Sequence, residues 1–175
     1  MRVRDHIALS AAGAAFVQPW LGNRALGLFA GGVLVDVDHY LWFCVRERRL
    51  SPRAAMRFFN QAHPPRDART RMLHKPVVPL ALLVLGIRRP PLVPIGVGMV
   101  VHVALDLQHE ARMAEARIEA LERDGFVCQV CGARGDLNAH LHNQPWLLPS
   151  YQAENLVALC APCHEAVHEE VASWN

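Results

Sequence analysis

The chain has 175 residues, of which 52% are hydrophobic and 19% are charged. This length suits one domain or two small ones, and the composition excludes global disorder because it supplies enough apolar side chains for a core. The formal net charge of +2 is unevenly distributed: residues 1–110 carry 14 Lys and Arg against 7 Asp and Glu, whereas residues 111–175 carry 4 against 9. A basic half followed by an acidic half indicates two units with different roles.

Four segments without a charged side chain dominate the first half. They cover residues 7–23, 25–35, 76–87 and 92–105. None reaches the roughly 20 residues that cross a bilayer comfortably. Two interpretations therefore stay open: a bundle of buried helices, or a membrane-associated bundle, which the glycine content and the all-round apolarity favour.

A strongly basic stretch, residues 46–75, lies between these segments and has eight Arg and one Lys against Glu47 and Asp67. A solvated loop beside apolar helices is the simplest interpretation. A cytoplasmic segment next to a membrane, or a surface that contacts phosphates, is the alternative.

Histidine and aspartate side chains interrupt the apolar segments of the first half. Buried imidazoles and carboxylates are unfavourable unless they are paired or bind a metal. His102 and Asp106 are four residues apart in an otherwise apolar predicted helix. Each such residue alone is most simply a paired polar group of the core, but together they indicate a second site. Its candidate residues are His6, Asp36, Asp38, His39, His74, His102 and Asp106.

Residues 107–124 lack Gly and Pro and are rich in Ala, Glu, Leu and Arg, which predicts a helix. Gly125 is expected to end that helix. The sequence therefore predicts an α+β protein with a helical bundle over residues 1–106, a linker helix over 107–124 and a zinc domain over 125–175.

Four of the five cysteines form two Cys-x2-Cys pairs, Cys128 with Cys131 and Cys160 with Cys163, which 28 residues separate. We expect no secretory signal peptide and a cytoplasmic location, where paired cysteines bind metal rather than form disulfides. Two such knuckles suit one closed tetrahedral site, so the sequence predicts a structural Zn²⁺. Cys44 is expected to be a buried small apolar residue.

Histidines accompany these cysteines. The sequence LNAHL predicts a strand, NLVALC a second strand and APCHEAVHEEVA a helix. His164 and His168 are four residues apart on the predicted helix, so they share one face and can bind one metal ion. A strand–loop–strand–helix order would bring His140 or His142 towards that face.

This pattern resembles the HNH endonucleases, in the subgroup whose ββα-metal motif carries a four-cysteine zinc. The resemblance covers about residues 117–170 and rests on the two knuckles, the Asn-Leu pair before the second knuckle and the Cys-His-x3-His sequence, all in order. It implies hydrolysis of DNA phosphodiester bonds. It also implies that His140, His164 and His168 bind a catalytic divalent ion, Mg²⁺ or a transition metal, and that Asn155 braces the loop by hydrogen bonds.

One departure from that family concerns the general base. The family usually has two adjacent residues, His-His or Asp-His, of which the second is the base, whereas this chain has His140-Leu141-His142. A strict alignment places Leu141 at the base position, and the site is then impaired. If Leu141 is an insertion, His142 is the base, since residues 140 and 142 of a regular strand point to the same side. We expect the second arrangement.

The first half, about residues 1–110, resembles the inner-membrane metal-dependent hydrolases. The matching stretches are RDHIALSAAGAAF, GGVLVDVDHYLW, the isolated His74 and GMVVHVALD, although the family usually has Pro where this chain has Val35. The resemblance implies a helical domain at the inner face of the membrane with a divalent metal site. The alternative function is therefore a membrane-associated metal-dependent hydrolase that uses the N-terminal His/Asp cluster. The zinc domain would then be an accessory or a degenerate nucleic-acid-binding module.

Overall fold

The computed structural model describes residues 3–59, 71–142 and 147–173. Residues 60–70 of the basic stretch thus lie outside the described part of the chain. The described residues are mostly helical and include one small two-stranded antiparallel sheet, so the fold is broadly α+β, as predicted. The chain divides into two compact units, with the division at Gln108 and His109.

The first unit is helical because its long apolar segments are rich in Ala and Leu, which form helices readily. The sixth helix begins in this unit and runs on without a break to Arg123, so the predicted linker helix is its C-terminal part. The elements are α1 (Val3–Leu21), α2 (Arg24–Leu34), α3 (Val37–Glu47), α4 (Pro52–Phe59), α5 (Val77–Gly86) and α6 (Leu92–Arg123). Gly22 lies between α1 and α2, and Pro90 and Pro91 lie between α5 and α6.

Glycines allow α2 and α6 to approach each other backbone to backbone. A Cβ atom added to Gly31 would collide with the backbone of α6, and one added to Gly98 would collide with the backbone of α2. The helices therefore lie closer together than larger residues permit. This approach brings the carbonyl oxygen of Gly32 to 2.8 Å from the Nδ1 atom of His102.

Large apolar side chains of the first unit face outward. Phe16 and Trp20 on α1 are 73% and 72% exposed, and Val84 and Leu85 on α5 are each 57% exposed. Among the described residues, α6 is long and apolar enough to cross a membrane, and α2 with α3 would form a second span if the bent pair counts as one. Both interpretations of the apolar segments, a bundle of buried helices and a membrane-associated bundle, stay predictions.

The second unit contains the sheet and the last helix. Its two strands are antiparallel, and Leu137 pairs with Cys160 while Leu141 pairs with Leu156. The predicted strand–strand–helix order is present. The elements are β1 (Leu137–Leu141), a 3₁₀ turn (Ala153–Asn155), β2 (Leu156–Cys160) and α7 (Ala161–Ser173).

One face of this sheet packs on the C-terminal part of α6. Small side chains on that helix allow the strands to approach closely, and the contact buries apolar surface on both sides. This hydrophobic cluster consists of Met113, Ala116, Ala120, Ala153 and Leu156, with Ala139, Leu141 and Tyr151 at its edge.

Two charged residues tie the end of α6 to β2. Arg123 donates hydrogen bonds to the carbonyl oxygens of Ala153 at 2.7 Å and Leu156 at 2.8 Å. Asp124 accepts a hydrogen bond of 2.8 Å from the amide of Ala158. The hydrogen bond from Arg123 and that amide stabilise the ionised carboxylate, so the pKa of Asp124 lies below its usual value. Charge-assisted hydrogen bonds of this kind fix the strand in register.

Candidate metal centres

The four cysteines of the two knuckles come together in the second unit. Their sulfur atoms all lie within 4.8 Å of one another, and those of Cys131 and Cys160 are 3.5 Å apart. Zn–S bonds of about 2.3 Å in a tetrahedral site imply sulfur–sulfur distances of about 3.8 Å. The cluster therefore has the size of a four-cysteine zinc site.

The first knuckle is a tight turn. The amide of Gly132 donates to the carbonyl oxygen of Cys128 at 2.9 Å, and the amide of Cys128 donates to the carbonyl oxygen of Ala133 at 2.9 Å. Gly132 has a φ of 75°, which glycine adopts without strain. The turn brings both sulfur atoms of the knuckle to the same side, where β2 delivers Cys160.

The electrostatics of the four thiols also fit a cation. A backbone hydrogen bond from Cys160, with those from Cys131 and Val130, lowers the pKa of Cys128 to about 6. The hydrogen bond with Cys160, together with burial and the neighbouring thiols, raises the pKa of Cys163 to about 12. One thiol thus ionises readily, whereas a second keeps its proton because it hydrogen-bonds Cys160 and is partly buried. A divalent cation would stabilise the thiolate form of all four.

Three histidines form a second cluster beside the sheet. His140 lies on β1, and His164 and His168 lie one turn apart on α7. The Nε2 atoms of His164 and His168 are 3.3 Å apart, and the ring centroids of both lie 5.1 Å and 5.0 Å from that of His140. One ring nitrogen of each can reach a shared point, so the three side chains could hold one metal ion.

The protonation state of His140 suits a ligand. Burial lowers the pKa of this imidazole to about 4, with a contribution from the positive charge that His164, His168 and His142 would carry. His140 is therefore neutral at pH 7 and has a lone pair on one ring nitrogen. Only the neutral ring binds a metal.

His142 follows β1 and is fixed by the segment that precedes β2. Its amide donates to the carbonyl oxygen of Asn155 at 3.0 Å, and its Nε2 lies 3.0 Å from the carbonyl oxygen of Glu154. A carbonyl only accepts, so Nε2 carries the hydrogen and the neutral ring keeps its lone pair on Nδ1. Asn155 donates to Ser150 Oγ at 2.7 Å and to Gln152 Oε1 at 3.3 Å, so its side chain braces this loop.

Leu141 takes no part in the histidine cluster. It pairs with Leu156 across the sheet and packs on the hydrophobic cluster of α6. Because successive residues of a strand point to opposite faces, His140 points to the face opposite Leu141, and His142 is the first residue after the strand.

The predicted histidine and aspartate residues of the first unit also come together. Asp36 is the N-cap of α3, but its side chain makes no capping hydrogen bond. Asp38 and His39 follow in the first turn. His102 and Asp106 share one face of α6, and α1 brings Nε2 of His6 to 3.0 Å from Oδ1 of Asp106. The groups that could bind a metal here are His6 with Asp36 and His102; Asp36 with His39 and His74; and His74 with His102 and Asp106.

Sequence reasoning missed the partners of these side chains. The amide of Leu73 donates to Oδ2 of Asp38 at 2.8 Å and so positions the segment that carries His74. The carbonyl oxygens of Gly32 and Glu154 accept hydrogen bonds from the imidazoles of His102 and His142. Backbone groups occur at every residue and leave no signal in the sequence.

Comparison of the chain with protein-family models, with curated proteins and with solved structures finds no match. The four-cysteine cluster is compatible with a zinc domain of the HNH kind. Membership of that family, and of the inner-membrane hydrolases, stays a prediction from the sequence.

We expect the substitution Cys160→Ser to remove one equivalent of zinc per chain and to lower the thermal stability of the second unit, because zinc binding supplies folding free energy. Inductively coupled plasma mass spectrometry of the purified full chain measures the metal content. Cys44→Ser is the matched control, since Cys44 lies on α3 outside the cluster. Equal zinc content in both variants would contradict the assignment.

Proposed function

We propose that the second unit is a metal-dependent endonuclease of the HNH type, which hydrolyses phosphodiester bonds of DNA. The observation that carries the proposal is the group of three imidazoles that could bind one ion, together with a fourth histidine, His142, whose ring is hydrogen-bonded to the backbone directly after β1. A purely structural metal site needs no such additional group. DNA as the substrate rests on the resemblance of the motif to that family.

The positions of the three clustered histidines indicate the role of each one in the proposed reaction. His140, His164 and His168 would hold the divalent ion. When bound, such an ion neutralises charge on a phosphate and stabilises the oxygen that leaves. The two rings on α7 are presented by one face of the helix, and β1 fixes the third, so the cluster rests on regular elements rather than on a loop.

His142 is proposed as the general base. Because Nε2 donates to Glu154, the lone pair on Nδ1 is available to take a proton from water. The water oxygen then bonds to phosphorus as the phosphorus–oxygen ester bond breaks, and the leaving oxygen takes up a proton from solvent. Leu141 packs partly buried against the hydrophobic cluster on α6, so the proposal treats it as an insertion and assigns no role in the reaction to it.

The alternative function, a hydrolase centre in the first unit with the zinc domain as an accessory, stays a hypothesis. The observation that favours it is the convergence of histidine and aspartate side chains in that unit.

The nuclease proposal predicts metal-dependent nicking of supercoiled plasmid DNA by the full chain with Mg²⁺ or Mn²⁺. His164→Ala is expected to abolish nicking, and His142→Ala to slow it about 10²–10⁴-fold, the usual contribution of a general base. His142→Asn should be equally slow, although its amide can still donate to Glu154. An RNA substrate in parallel distinguishes the two nucleic acids.

His109→Ala is the control for that series, because His109 belongs to the same unit but bonds Tyr151 rather than the cluster. Its nicking rate should match that of the unaltered chain. Nicking at the full rate by His142→Ala would exclude the assigned base, and nicking at the full rate by His164→Ala would exclude the assigned centre.

We also propose that the first unit associates with the cytoplasmic face of a membrane through residues 7–105. The large apolar side chains that α1 and α5 expose support this, because lipid would cover them. Cell fractionation should recover the chain with membranes and release it with detergent. Release by high salt alone would contradict burial in lipid.

A further inference from the structure

Helices α3 and α4 form an antiparallel hairpin. The ring of His39, near the start of α3, lies 5.7 Å from that of Phe59 at the end of α4, and the ring centroids of Phe43 and Phe58 are 5.4 Å apart. These contacts fold α4 back along α3. The loop between the two helices therefore lies at the end of α3 that points away from His39.

The corner formed by this loop and the helix ends beside it is strongly basic. Residues 45–57 contain five arginines, and the one acidic residue among them is Glu47, whose Oε1 lies 3.3 Å from Nε of Arg46. All five arginines are exposed, so their charges act on the surface that the corner faces. We refer to them as the arginine corner: Arg46, Arg48, Arg49, Arg53 and Arg57.

Arg48 ends α3 in a backbone conformation that arginine rarely adopts. Its φ of 50° lies in the left-handed region. Glycine is the usual residue in this conformation at a helix end, because a Cβ atom is unfavourable there. An arginine at this position thus places a charge at the tip of the hairpin at some cost in backbone energy.

Exposed aliphatic side chains lie among the arginines. Val45 and Leu50 are 80% and 79% exposed, and Met56 on α4 is 61% exposed. The hydroxyl of Tyr40 donates to the carbonyl oxygen of Leu50 at 2.8 Å, which holds the loop against α3. A surface that binds DNA needs basic groups for the phosphates but no aliphatic side chains between them, whereas segments at a membrane interface combine both.

An arginine stacked on tryptophan completes this composition. The guanidinium carbon of Arg46 lies 4.9 Å from the centre of the Trp42 ring and 5.5 Å from that of Phe58. Tryptophan and long basic side chains are typical of the layer where lipid headgroups meet the acyl chains. If α2 and α3 together form one membrane span, that span ends at Glu47, and the arginine corner lies where the headgroups begin.

We propose that the arginine corner binds the phosphate groups of anionic phospholipids, while Val45 and Leu50 enter the apolar layer beneath them. This proposal rests on the proposed membrane association of the first unit, and it adds the class of lipid and the residues that recognise it. A basic side chain close to an anionic leaflet increases the affinity about fivefold. The corner therefore gives the first unit a preference for anionic over zwitterionic lipid.

The first measurement is flotation of the full chain with vesicles of phosphatidylcholine alone and with vesicles that also contain phosphatidylglycerol. The chain is expected to float with the vesicles that contain the anionic lipid. A chain that floats with neither kind has no membrane association, and this outcome would overturn both proposals.

The second measurement is the quenching of Trp42 fluorescence by brominated phosphatidylglycerol and by brominated phosphatidylcholine, in a full chain whose other three tryptophans are replaced by phenylalanine. Trp42 reports on the corner because Arg46 lies over its ring. The anionic lipid should quench at a lower mole fraction, and salt should reduce the difference because it screens exposed charges. Equal quenching by the two lipids, or none by either, in a chain that floats would overturn the lipid preference alone.

Arg48→Gly is the most informative substitution, since glycine suits the φ of 50° and the thermal stability should be kept. It is expected to lower the preference for phosphatidylglycerol about fivefold. Arg117→Gln is the matched control, because it removes one exposed positive charge from the second unit and should leave the preference unchanged. An unchanged preference in Arg48→Gly, or an equal loss in Arg117→Gln, contradicts the proposal.

Binding of a DNA duplex to the same variants separates nucleic acid from lipid. If Arg48→Gly weakens DNA binding by the full chain and leaves the lipid preference as it was, the corner is a DNA-binding surface and the proposal is wrong. Leu50→Ser should reduce quenching by both lipids, because an apolar side chain does not distinguish their headgroups. Unchanged quenching in that variant would exclude insertion of the corner into the apolar layer.

Discussion

Two pairs of imidazole nitrogens face each other at 3.2 Å and 3.3 Å, one pair in each unit. Two lone pairs at this distance repel, so either a hydrogen on one nitrogen or a cation must lie between the members of each pair. The remaining features of both units hold these rings in place. Helix α6 belongs in part to each unit. Its N-terminal part carries His102 and Asp106, and its C-terminal part packs on the sheet that carries His140.

In the second unit, the cysteines have a structural role and the histidines are the residues proposed to take part in the reaction. Its cysteines join the turn after Gly125 to the end of β2 and the start of α7, so a zinc ion there would fix the helix on the sheet. The same turn of α7 that carries Cys163 carries His164. A rigid helix start thus positions His164 and His168, and the hydrogen bonds to the carbonyl oxygens of Glu154 and Asn155 hold His142. This division supports the proposed nuclease.

Local patterns allowed much of this to be predicted from the sequence. The Cys-x2-Cys knuckles, the spacing of His164 and His168 and the alternation along β1 each depend on the period of one element. The seven predicted residues of the first unit were named from the sequence, but which of them lie within ligand distance of one another did not follow, because it depends on how α3, α6 and the segment with His74 pack. The sequence also did not show that α6 continues as one helix past Asp106, where the composition changes from apolar to charged. Backbone partners such as the carbonyl of Gly32 carry no sequence signal.

The central claim is that the cysteine and histidine clusters of the second unit are metal centres. Anomalous diffraction from crystals of the full chain grown with Zn²⁺ tests it most directly. Two anomalous peaks are expected in this unit: one among the four cysteine sulfurs, and one among His140, His164 and His168. A peak at the cysteines alone, with His140, His164 and His168 ordered and free of metal, would contradict the claim.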